Sequence, residues 1–299
     1  MATWPKRWRR PVAEWARLSG IAGAAGVERP TLSRVVLAFV RRDLAIAASY
    51  RLAFGLRALG TLALLLSFSY TARFVDPAGL GVQSAGGTGY LAFWLVGIAL
   101  ADVFYSCASG LSRRIRESQL AGTLEAVLST PAPAGHVLAG LAAVEVGGSL
   151  LRAGAIIALG ALILDVPLGP VHAGSLALCL VLLLVAFCAL GLLAAALTML
   201  LRRTDPISLL LGVAVTLIGG VFYPVDLLPE PLARAAYALP LAPAATALRG
   251  ALLTGAAPSA ITRELFALAC FAAVVLPLGI WLFARALARA RRDASLGHY

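Results

Sequence analysis

The sequence predicts an all-α, polytopic integral membrane protein with six transmembrane helices, and three observations lead there. Of 299 residues, 61% are hydrophobic and only 13% are charged, about half the roughly 25% of charged residues in a soluble domain. Several apolar stretches approach or exceed the ~20 residues that a helix needs to cross a bilayer. The remaining charges are sorted to alternate loops. Of the 25 Lys and Arg, 11 lie in residues 1–57, three in 113–116, two at 202–203 and four in 285–292. Arg73, Arg234, Arg249 and Arg263 fall on the opposite side, and Arg152 lies within a span. This is the positive-inside pattern, and it puts both termini in the cytoplasm. The formal net charge of +11 is therefore read as topology and contact with anionic lipid, not as a nucleic-acid surface.

Each element follows in order. Residues 1–30 form a basic, Trp-bearing arm without the compact apolar core and small-residue cleavage site of a removable signal peptide. In 31–51, Arg34, Arg41 and Arg42 interrupt Val35, Val36, Leu37, Phe39, Val40, Leu44 and Ile46 at helical spacing. That pattern predicts an amphipathic helix in the cytoplasmic interface. The first span, 58–72, is short, so Arg57 and Arg73 snorkel from its ends. A Gly-rich outer loop, 76–89, leads to the second span at about 90–111, which ends at a charged cytoplasmic loop, 112–136. The third and fourth spans are expected at 137–164 and 173–200, and the fifth, after the turn at Arg202–Pro206, at 207–222. Residues 223–258 are apolar but broken by Pro and Gly, leaving helical pieces near 229–239 and 244–253. Pieces that short cannot cross, so they predict a re-entrant or interfacial helical hairpin on the outer side. The sixth span, 265–283, returns the chain to a cytoplasmic tail, 291–299.

The chemistry-bearing residues exclude several classes. A phosphate-binding loop needs a Lys after its glycines, and the one Lys, Lys6, has no such loop. Any nucleotide hydrolysis must come from a partner. His136, His172 and His298 are scattered, without a second ligand at metal spacing. Cys107, Cys179, Cys188 and Cys270 fall in predicted spans without Cys-x-x-Cys spacing and are read as small buried hydrophobes.

Two segments carry a resemblance. Glu117 through Pro131, with its core Gly122-Thr123-Leu124-Glu125-Ala126-Val127-Leu128-Ser129-Thr130-Pro131, resembles the cytoplasmic loop of ABC-2 type transporter permeases. Those proteins carry a Glu, then Gly-Thr-[Leu/Ile]-Glu, two or three apolar residues and a Thr/Ser-Pro. Gly219-Gly220-Val221-Phe222-Tyr223-Pro224-Val225-Asp226-Leu227-Leu228-Pro229, followed by Tyr237-Ala238-Leu239-Pro240-Leu241, is similar to that family's outer segment after the fifth span. With the interfacial helix and the six-span order, the resemblance runs from about residue 31 to 290.

The resemblance implies the permease subunit of an exporter, with no cofactor of its own. A separate ABC ATPase would use ATP and Mg, and a second permease copy would complete the membrane unit. It also implies the cytoplasmic membrane of a prokaryote and a drug, lipid, glycolipid or polysaccharide as cargo. The 117–131 segment becomes the coupling helix. Leu120, Leu124, Val127 and Leu128 lie at i, i+4, i+7 and i+8 and form an apolar stripe for a groove of the motor, while Glu117 and Glu125 face its polar groups. Gly122 and Thr123 belong to its core, and Pro131 and Pro133 stop it. The bland alternative is a solvated loop. Phe222, Tyr223, Pro224, Pro229, Tyr237 and Pro240 are an outer gate by resemblance, or an aromatic belt at the membrane boundary.

Three charges fall inside spans: Asp102, Glu145 and Arg152. Buried ionisable groups in a bilayer are costly and usually paired. The expected arrangement is an Asp102/Glu145–Arg152 network between the second and third spans, and the alternative is substrate contact or proton movement. Two rival readings stand beside the exporter: a polytopic membrane enzyme such as a lipid-modifying transferase, with Asp76, Asp165, Asp226 and Glu230 as its nearest acidic groups, and a proton-coupled carrier resting on Asp102 and Glu145.

Overall fold

The computed structural model describes residues 30–49, 56, 59, 60, 63, 66, 67, 70, 89–120, 133–163, 166, 169–201 and 218–292. Most of the first span, the loop 121–132 and all but the end of the fifth span lie outside the described residues. So do both terminal arms, apart from Pro30 and the two residues 291 and 292. The described elements are α1 (Leu32–Ser49), α2 (Gly89–Leu120), α3 (Ala134–Ile163), α4 (Ala173–Leu201), α5 (Glu230–Ala238), α6 (Leu241–Arg249) and α7 (Thr262–Arg292). A short 3-10 turn at Val225–Leu227 precedes α5, and a π turn at Gly250–Thr254 with a 3-10 turn at Pro258–Ile261 links α6 to α7.

Among the described residues four helices are long and apolar enough to cross a membrane: Gly89–Ser118, Gly135–Ile163, Ala173–Leu200 and Pro258–Arg289. The chain is an all-helical, multi-pass membrane protein, and these four correspond to the second, third, fourth and sixth expected spans. Only a helix meets all its backbone hydrogen bonds within one crossing segment, which is why apolar length maps so directly onto helix.

One boundary differs from expectation. The second span and the charged segment after it are a single helix, since α2 runs unbroken from Gly89 through Arg113, Arg114 and Arg116 to Leu120. Arg, Glu, Gln and Leu are good helix formers, and the nearest proline downstream of Tyr90 is Pro131. At 1.5 Å per residue its 32 residues make a rod of about 48 Å. α7 likewise continues past its expected end to Arg292 and carries Pro277 in its interior, a residue tolerated in spans where neighbouring helices support the freed carbonyl.

α2 is the central helix: 67% of its most apolar window is buried, against 22% for α3 and for α7. Lipid chains are as apolar as leucine, so helices in a bilayer associate through close packing, which small residues permit. Gly191 of α4 lies against the backbone of Cys107 and Ala108 on α2, where a methyl group would collide with the Cys107 carbonyl. Gly160 of α3 receives the Leu95 side chain, and Gly279 of α7 faces the backbone of Ala189 and Leu193 at 3.3 Å from an added Cβ. Beside the first of these contacts, the Phe104 and Phe187 rings meet edge to face at 4.9 Å between centroids. Cys107 and Cys179 are buried in this packing, Cys188 is half-buried, and Cys270 is exposed, unlike the buried position expected for it.

The two short helices differ from each other. α6 is buried almost throughout, through Leu241, Ala242, Pro243, Ala244, Ala245, Ala247 and Leu248, and packs against α2, α4 and α7. Of α5 only Ala236 is buried, and Glu230 pairs with Arg234 on its exposed face. A run of Ala and Pro is slim enough to enter a helix bundle, while a charged pair stays outside it.

Gly191→Leu is expected to destabilise the protein by at least about 2 kcal/mol, as overpacking does at a rigid contact. A lower unfolding temperature of the purified protein in detergent, beside an unchanged one for the open position Gly147→Leu, checks this.

Candidate functional site

Three groups of residues carry functional expectations: the charged end of α2, the charges inside the spans, and the segment around α5 and α6. Of the first group, Glu117 lies on α2 and is exposed, and Leu120 lies on the same helix. Gly122, Thr123, Leu124, Glu125, Leu128 and Pro131 lie outside the described residues.

The intramembrane charges form two clusters. In the first, Arg152 on α3 donates from Nε to Asp102 Oδ2 on α2 at 3.0 Å and from its terminal nitrogen to Ser106 Oγ at 2.6 Å. Asp102 and Ser106 stand one turn apart on α2, so one guanidinium spans both. Glu145 does not join them; it pairs with Arg114, nearer the charged end of α2. The i, i+7 spacing from Glu145 to Arg152 is about 10.5 Å along the helix, so each reaches to α2 at its own level. Gly110 makes room for Glu145, since an added Cβ would stand 2.9 Å from its carboxyl group. Arg114 also reaches Asp43 on α1, at 2.7 Å, and Arg42 pairs with the same carboxylate at 2.9 Å.

Burial works to raise the Asp43 pKa, but hydrogen bonds from Arg114 and Arg42 outweigh it and hold the carboxyl below its ordinary value. A lowered folded pKa gives stability that is present above the unfolded value of about 3.9 and lost only as pH falls through the folded one. The Asp43 contact is thus at full strength across the neutral range.

At the other end of α2 the chain leaves helical geometry between Gly219 and Pro229. Gly220 has φ +67°, a left-handed conformation that glycine adopts without steric penalty. Arg249, the last residue of α6, fills the space beneath. It donates to the carbonyls of Phe93 at 3.1 Å, Gly220 at 2.8 Å and Val221 at 3.0 Å. Its guanidinium lies 3.4 Å from the centroid of the Phe93 ring, a cation–π contact. Among the described residues no carboxylate pairs with it. Gly97 permits the approach, because a methyl group there would strike both the Val221 carbonyl and the guanidinium. By its place in the sequence Arg249 is only one of the four basic residues expected on the outer side. The signal that marks it is a lone Arg in an otherwise apolar short helix.

The six expected gate residues flank this cradle. Phe222 and Tyr223 are half-buried, and the Phe222 carbonyl accepts from Tyr90 Oη at 2.9 Å. Pro224 precedes the 3-10 turn, and Pro229 starts α5, its carbonyl accepting from Leu232 and Ala233. Pro240 starts α6 and is buried. Tyr237 packs beside the buried cluster of Val225, Ala236 and Ala242 and donates to Asp226 Oδ1 at 3.4 Å. Arg263 stands over its ring at 5.4 Å. Burial and the Asp226 charge raise the Tyr237 pKa, so the phenol stays a donor. These residues brace one loop and two helix starts, with the α3–α4 connection joined to them: His172 N–H donates to the Ala251 carbonyl and Ser175 Oγ to that of Ala256.

Two outcomes are expected. Arg249→Leu leaves buried carbonyls at 220 and 221 without their donor and is expected to cost at least about 2 kcal/mol, read as a lower unfolding temperature that Arg249→Lys restores only in part. Arg152→Leu strands Asp102 in the membrane and is expected to reduce folded protein severely in a fluorescence size-exclusion assay. The paired change Asp102→Asn with Arg152→Leu should recover much of it.

Residues 32–253, about three quarters of the chain, match the model of the ABC-2 type transporter family. The matched region starts at the first residue of α1, holds the charged end of α2 and both ion clusters, and closes within the π turn after Arg249. No match was found among curated proteins. The chain belongs to the ABC-2 type transporter family, the membrane-spanning permease component of ABC transporters.

Proposed function

We propose that this permease is the transmembrane part of an ATP-driven exporter in the cytoplasmic membrane of a prokaryote, with both termini inside. Two copies pair with two copies of a separate ABC ATPase, which binds and hydrolyses ATP with Mg. The 117–131 segment docks into the motor, with Leu120, Leu124 and Leu128 seated in a groove and Glu117 and Glu125 at its polar rim. Motion of that segment rearranges a path for an amphipathic or hydrophobic cargo (drug, lipid, glycolipid or polysaccharide), which leaves past Phe222, Tyr223 and Tyr237.

The observation that carries this reading is the unbroken α2. The helix that begins at Gly89 runs unbroken to residue 120, so a push delivered there acts along a rod through the bundle. No stretch of this chain carries a phosphate-binding loop, and the work must enter through such a contact. The proton-carrier reading is disfavoured on geometry. Asp102 and Glu145, the carboxylates it would need, are each held by an arginine.

Charge reversal at Glu125→Lys is expected to lower ATP hydrolysis by the reconstituted permease–ATPase complex at least several-fold. An unchanged rate overturns the docking assignment.

A further inference from the structure

Arg114 stands where three helices meet. α1 packs along α3, where Phe39 lies over Gly140 so closely that a Cβ there would stand 2.6 Å from the ring. The His136 ring at the start of α3 approaches the Pro30 carbonyl at 3.3 Å. From α2, the Arg114 guanidinium then reaches both Asp43 of α1 and Glu145 of α3. All three partners are largely buried, with side-chain exposures of 22% for Arg114, 20% for Asp43 and 13% for Glu145. Ion pairs on an open surface contribute little. One that is largely withdrawn from water, shared by a planar fork with two carboxylates, holds its geometry far better. Charge bookkeeping agrees, because one cation meets two anions and Arg42 supplies the second positive charge at Asp43.

The position along α2 gives this contact its consequence. Arg114 is three residues before Glu117 and six before Leu120 on the same helix. Leu120 and Arg114 share one unbroken helix, so a displacement of Leu120 carries Arg114 with it. We propose that Arg114 is a positioning residue that locks the interfacial helix α1 and the span α3 to the driven end of α2, so that the three move as one body. The inference rests on the reading that an ATPase acts on 117–131. α1 is then not a passive float in the headgroup region but the outrigger of the α2 rod. Its outward face, with Leu37 and Leu44 exposed beside Arg34 and Arg41, sweeps through the headgroup layer as the rod tilts. The pair Asp102–Arg152, deeper in the bundle, keeps α2 and α3 in register along the same body.

The test uses the full permease–ATPase complex in nanodiscs, with the four native cysteines replaced by alanine. Spin labels sit at Leu37→Cys and Arg113→Cys, across the clamp, and at Leu37→Cys and Phe266→Cys, from α1 to a span outside it. Distances are recorded by double electron–electron resonance without nucleotide and with ATP and Mg trapped by vanadate. The expected result is a narrow 37–113 distance that nucleotide leaves unchanged, and a 37–266 distance that shifts. In Arg114→Gln the 37–113 distribution should broaden and the 37–266 shift should fall by at least half. Arg114→Lys keeps the charge but reaches one carboxylate at a time, so it should broaden 37–113 to an intermediate degree, and it serves if the glutamine variant does not fold. A narrow 37–113 distance with an undiminished 37–266 shift in both variants overturns the clamp while leaving the ATP-driven reading intact. A complex whose 37–266 distance ignores nucleotide with Arg114 in place overturns the clamp together with that reading.

Discussion

A membrane protein whose chain leaves helical geometry deep in its bundle must find donors for the carbonyls it releases, and here a single guanidinium supplies them. Val221 lies beside Gly97, eight residues inside α2, or about 12 Å along the helix. Water is scarce at such a depth, and each unmet polar group costs several kcal/mol in hydrocarbon. Arg249 meets the carbonyls of Gly220 and Val221 from below and stacks on Phe93. That one contact joins the end of α6, the loop before α5 and the entrance of α2. The neighbouring features follow from it: the glycine at 97, the left-handed turn at 220, and the burial of α6 among the spans.

The opposite end of α2 is built on the same economy of charge, with another outcome. Arg114 satisfies two carboxylates from two different helices, and Arg152 satisfies a carboxylate and a hydroxyl on one helix. The first arrangement ties elements together; the second sets the register of a pair. In a medium where apolar surface gives helices no reason to prefer each other over lipid, such polar contacts and the glycine notches at 160, 191 and 279 are what select one packing. The Arg249 cradle holds one end of α2 and the Arg114 contact the other, so the helix between them is a rod with both ends anchored.

Much of this was legible early, and the reason is physical. Four long helices, α1 and the two short helices fall where hydropathy and the placing of Pro and Gly lead one to expect helix, although α2 and α7 each run about nine residues past their expected ends, because an apolar segment in lipid has almost no alternative to the helix. The extension of α2 through Arg113–Leu120 was less visible. Its charges read as the end of a span, although nothing in them stops a helix. Pro and Gly mark out two short helical pieces without distinguishing them, and only packing separates the buried α6 from the exposed α5.

By itself, then, the sequence determined the all-helical membrane class, the place of four long apolar helices along the chain, and the motifs that lead to an ABC-2 permease. These depend on composition and local spacing. Tertiary structure alone decided the pairing of charges: Asp102 with Arg152, Glu145 with Arg114 rather than with Arg152, Asp43 drawn into the same contact, and Arg249 turned from an outer charge into the donor of a buried loop. Which side chains meet depends on the depth and rotation of one helix against its neighbour. No residue on a single helix encodes that, because close packing over the whole contact sets it.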